Sequence, residues 1–105
     1  MELSRSEGHP IKNVSREQLN GAATALISGS DEFLILAAGG EYYMQALLID
    51  EHNFHMEYRE GSNAHHYQSE ASCTPRQMVD LFLSYYDRDF QWRTMIAWEP
   101  HPDFR

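Results

Sequence analysis

Residues 31–70 read DEFLILAAGGEYYMQALLIDEHNFHMEYREGSNAHHYQSE, four runs of strand-forming residues joined by turn chemistry. Phe33 to Ala38 is continuously apolar, as a strand covered on both faces would be, which predicts a central place in the sheet. Gly39-Gly40 tolerates the left-handed backbone of a tight hairpin. Beyond it, Tyr42 to Ile49 puts Met44, Ala46 and Leu48 on one face and Tyr43, Gln45 and Leu47 on the other. Phe54, Met56 and Tyr58 then alternate with His55, Glu57 and Arg59, the pattern of a strand with one face in a core and one outside it. Glu60-Gly61-Ser62-Asn63 reads as a turn and Ala64 to Ser69 as a fourth strand. With Gly61-Ser62 as a two-residue loop, Glu57 would lie opposite His66 and Met56 opposite Tyr67.

Outward from this run the pattern turns helical. Ser15-Arg16-Glu17-Gln18 is a capping box, and Leu19, Ala22, Ala23, Leu26 and Ile27 follow at helical spacing until Gly29. Thr74-Pro75-Arg76-Gln77 is a second box, with proline at the first helical position, where a missing N–H costs nothing. Met78, Leu81, Phe82 and Tyr85 form its apolar stripe, widened by Val79, Leu83 and Tyr86. Thr94, Ile96 and Trp98 read as one face of a short last strand, ended by Pro100 and Pro102. The expected architecture is α+β: a four- to five-stranded antiparallel meander in the order α-β-β-β-β-α-β, with two helices on one face. One domain spans residues 1–105, with 1–13 as a loosely ordered leader and 99–105 as a polar tail.

Sixteen acidic side chains against eight basic ones give a net charge of −8, which repels phosphate backbones and disfavours nucleic acid as a partner. The same field favours a basic protein partner. No apolar run approaches the roughly 20 residues of a bilayer span, and the first residues lack the apolar core of a secretory signal. A single cysteine, Cys73, excludes an internal disulfide and fits a cytoplasmic location; it reads as a small packing residue.

Among six histidines, His55 with Glu57, and His66 opposite them, form the one set resembling a metal or acid–base constellation. Its spacing matches no zinc-binding pattern, so neither metal, cofactor nor catalysis is expected. Trp92 and Trp98 read as closing the core beneath the second helix. What remains is a helix-free sheet face bearing His55, Glu57, Arg59, His66 and Gln68, suited to a protein partner better than to a small ligand.

The layout from 31 to 99 resembles the immunity proteins of bacterial polymorphic toxin systems, in particular the family often paired with deaminase toxins. The likeness lies in the hairpin FLILAAGGEYYMQALLI, the strand HMEYREGSNA and the closing TPRQMVDLFLSYYDRDFQWRTMIAWEP, with Thr74, Gln77, Met78, Phe82, Tyr85, Trp98 and Glu99 as its most specific residues. The resemblance implies a cytoplasmic, non-enzymatic protein that binds a cognate toxin domain and blocks its active site. It carries over no contact residues. The alternative is a secretion-chaperone or adaptor-like small acidic dimer binding a protein client. The chain is expected to be a monomer or a homodimer.

Overall fold

The computed structural model of the chain describes residues 1–102. Both capping boxes form. The Ser15 hydroxyl accepts from the Gln18 N–H while the Gln18 side chain accepts from the Ser15 N–H, starting α1 (Arg16–Ile27). Thr74 and Gln77 do the same for α2 (Pro75–Asp87), which closes at Arg88 in the left-handed region with φ 58°. Each box satisfies amide donors that a helix start otherwise leaves open.

Six strands form one antiparallel sheet whose spatial order follows the chain: β1 (Glu2–Arg5), β2 (Phe33–Gly39), β3 (Tyr42–Asp50), β4 (Asn53–Glu60), β5 (His66–Ser69) and β6 (Trp98–Pro100). A 3₁₀ turn over Asn63–His65 precedes β5, and a third short helix, α3 (Trp92–Met95), precedes β6. The architecture is thus an α+β open antiparallel sheet, with six strands and three α-helices among the described residues where four to five and two were expected. Leu34, Leu36, Met44, Ala46, Phe54, Met56 and Tyr58 point to one side and share a core with Leu19, Ala22, Ala23 and Leu26 of α1 and Met78, Leu81, Phe82 and Tyr85 of α2. Alternation along each strand, read from the sequence, decides which face is covered.

Several expectations need correction. Residues 1–13 are not a loose leader: Leu3 is fully buried, and β1 pairs with β2 from Glu2↔Ala37 to Arg5↔Leu34. Leu3 and Ile11 also exchange backbone hydrogen bonds at 2.8 and 2.9 Å, and the Val14 N–H donates to the Met1 carbonyl. Buried Asp31 holds the loop after β1 by accepting from the Ser6 hydroxyl and the Glu7 N–H. A four-residue strand with one apolar side chain is too short for a periodicity signal.

Because β1 occupies the edge, β2 lies second rather than centrally, and Phe33, Ile35 and Ala37 on its other face are half-buried instead of covered. The β2–β3 hairpin forms with positive φ at both Gly39 and Gly40, but Gly39 still pairs with Tyr42, so the loop itself is Gly40-Glu41. The 3₁₀ turn lengthens the β4–β5 connection, and Arg59, not Glu57, faces His66. Glu57 faces Gln68 and Tyr58 faces Tyr67.

Thr94 lies in α3 rather than on a strand, and the predicted polar tail begins inside β6. Residues 103–105 of that tail fall outside the described residues. Trp92 is core, as its sequence context suggested: only 1% exposed, it meets Tyr58, Tyr85 and Trp98 edge to face at 4.6, 5.5 and 6.3 Å.

Candidate functional site: the open sheet face

Both long helices cover the same side of the sheet, so the other side carries rows of side chains that the strand register aligns. One row runs Ser4, Ile35, Gln45, Glu57, Gln68, Glu99. The next runs Glu2, Ala37, Tyr43, Arg59, His66, and it reaches His101, whose backbone N–H donates to the His66 carbonyl at 2.9 Å. On the opposite flank, Phe33, Leu47 and His55 form a third row. Each row is a set of cross-strand neighbours close enough to interact directly.

Glu57 is the centre of this face. Its Oε2 lies 3.1 Å from His55 Nε2, and its Oε1 lies 3.0 Å from His66 Nε2 and 3.4 Å from His101 Nε2. The carboxylate is 12% exposed and His66 6%, with His101 at 18% and His55 at 28%. The His66 and His101 rings stack with centroids 4.3 Å apart and planes 1° from parallel, and Tyr43 meets His66 edge to face at 6.2 Å. Three imidazoles therefore converge on one largely buried carboxylate. Chemically, such a group can share protons among its members or gather around a cation.

The five residues singled out from sequence all lie on this face, but they divide. His55, Glu57 and His66 are in mutual contact through the carboxylate. Arg59 turns instead to Glu41 at 3.0 Å, and Gln68 donates to Glu99 Oε2 at 3.0 Å. His101 was missed, having been placed in the tail. The available signal was the alternation after Trp98: with the indole against the core, Glu99 and His101 must share the open face.

Elsewhere, burial pushes the Cys73 thiol above its ordinary value, the opposite of what activates a nucleophile. A separate cleft of about 330 Å³ is lined in part by Tyr42, Glu60, Tyr85, Arg88, Phe90 and Arg93. Phe90 and Tyr42 are about half exposed there. The Arg93 guanidinium sits 4.9 Å above the Phe90 ring and pairs with Glu60. Among the described residues no helix is long and apolar enough to cross a membrane. Comparison with protein-family models, curated proteins and solved structures finds no match to this chain.

Proposed function

We propose that this chain is a non-enzymatic binding protein, an immunity-type inhibitor that occludes a cognate bacterial toxin domain with its open sheet face. The observation that carries this reading is the one-sided fold: among the described residues no helix covers the face on which Phe33, Ile35, Leu47 and Tyr43 lie half-buried beside the Glu57 cluster. Apolar patches ringed by polar groups on rigid strands are what protein interfaces are made of. The net charge of −8 suits a basic partner and speeds its encounter. The chaperone-like alternative would use an apolar helix face. Here Val79, Leu83 and Tyr86, which widen the stripe of α2, pack against the core, and Arg76 and Asp80 pair on its exposed surface.

Glu57 is too buried for charge reversal there to test the surface alone. Leu47→Arg and Gln45→Arg place new positive charge on the same face at half-buried positions. Affinity capture with the wild-type protein should yield one stoichiometric partner with a basic toxin domain, retained at high salt. Each variant, folded by circular dichroism, should bind that partner at least about tenfold more weakly, the usual scale for a disrupted interface centre. Unchanged affinity in both variants, with loss in Phe90→Asp at the other cleft, would remove the open face as the contact surface.

A further inference from the structure

We propose that His55, Glu57 and His101 form a binding site for a divalent transition-metal ion of the zinc class. One ligand atom from each of the three lies within 4.8 Å of the other two. Ligand atoms about 2.0–2.1 Å from a tetrahedral ion are about 3.3 Å apart. His55 Nε2 lies 3.1 Å from Glu57 Oε2 and His101 Nε2 lies 3.4 Å from Glu57 Oε1, so each imidazole sits about one such separation from one oxygen of the carboxylate.

The donor set selects the ion. Two imidazoles and one carboxylate suit zinc and its neighbours in the first transition row, whereas calcium and magnesium require oxygen ligands. Three protein ligands leave a fourth position for water. The surroundings are those of a supported site. His66 Nε2, 3.0 Å from Glu57 Oε1, can hold the carboxylate in orientation by a hydrogen bond, and its stacked ring fixes the plane of His101. Arg59, on the same face, is engaged by Glu41, which offsets its repulsion of a bound ion.

The same contacts can be read as imidazole N–H groups donating to a carboxylate, with no ion involved. The two readings differ in chemistry rather than in geometry. Each neutral imidazole that donates through Nε2 becomes a ligand when its proton resides on Nδ1, a tautomeric exchange that leaves its charge unchanged. This inference does not depend on the proposed binding role: zinc uptake and toxin-domain capture are separate readouts, and either can fail alone.

The test is calorimetric titration of untagged, chelator-treated protein with Zn²⁺. One saturable site per chain is expected, with no competition from Mg²⁺ or Ca²⁺. His55→Gln and His101→Gln should each weaken it at least tenfold, and His66→Gln, which removes both the hydrogen bond to Glu57 and the ring stacked on His101, by about 10- to 100-fold. His9→Gln and His52→Gln should leave it unchanged. To cover variants that fail to fold, Zn²⁺ added to the wild-type protein should shift the imidazole resonances of His55 and His101 but not those of His9 or His52. Absence of a saturable site, or binding that falls equally when His9 and His52 are replaced, would overturn the proposal, as would resonances of His55 and His101 that do not respond.

Discussion

Replacing Trp92 by alanine tests whether the aromatic C-terminal segment is core or contact surface. The indole is 1% exposed and wedged among Tyr58, Tyr85 and Trp98. Its backbone N–H donates to the Ser84 hydroxyl, which itself donates to Asp89, and its carbonyl accepts from Trp98 Nε1. Alanine keeps those backbone bonds and removes only the ring. A buried Trp→Ala change costs about 3–5 kcal/mol, set by lost transfer energy and by how far the site collapses. Collapse is favoured here, because Trp98 beside it is only half-buried and can lean inward, so we expect about 3 kcal/mol. Against a total stability of about 5–15 kcal/mol for a domain of this size, that is a large fraction. Urea unfolding followed by far-ultraviolet circular dichroism reads the change directly, and Trp92→Phe should recover more than half of it. Partner affinity, measured where Trp92→Ala is still folded, should be unaffected. A loss below about 1 kcal/mol would refute the core assignment, since it is the scale of an ordinary surface change.

Alkaline pH should unfold the protein through two tyrosines. Burial pushes Tyr58 and Tyr85 from 10.0 up to about 12, and each is only 8% exposed. The fold favours the neutral phenol, so this stabilisation is complete below pH 10 and is lost as pH rises toward 12; it is on the order of 2–3 kcal/mol per ring. Urea midpoints that stay level between about pH 9.5 and 11.5, or that fall as far in Tyr58→Phe and Tyr85→Phe as in wild type, would contradict this linkage. At the start of α2, Thr74→Ala removes the acceptor for the Gln77 N–H and should cost about 1 kcal/mol, whereas Thr74→Ser should be close to neutral. Equal urea midpoints for wild type and Thr74→Ala would mean that this cap adds nothing to stability.

Much of the fold was legible because its signals are local. Ser15–Gln18 and Thr74–Gln77 announce helix starts through groups three residues apart, and both boxes form. The alternation of Phe54, Met56 and Tyr58 with His55, Glu57 and Arg59 assigns each side chain to a face without knowledge of any partner strand. What escaped the reading depends on distant parts of the chain. β1 is held by β2 and by Ile11, contacts that four residues with one leucine cannot signal. Trp92–Met95 is helical beside a core that only the assembled sheet creates.

The Glu57 cluster shows where this boundary falls. The 3₁₀ turn moves the β4–β5 pairing by two residues from the expected register, and a shift of two keeps every side chain on its face while changing its neighbours. Face composition therefore survived the error, and the cross-strand partner did not. Glu57 nevertheless reaches His66 diagonally, one pair along, because a glutamate and a histidine are both long enough to span that offset. His101 arrives by a different route: Trp98 packs edge to face on Tyr58 at 4.7 Å, which turns Glu99 outward beside Gln68 and His101 outward beside His66. The third imidazole at Glu57 is thus positioned by an aromatic residue on the opposite side of the sheet. Trp98→Ala should for this reason weaken the proposed metal site although the indole packs on Tyr58 and Trp92, and calorimetric Zn²⁺ affinity equal to wild type in a folded Trp98→Ala protein would break that chain of dependence.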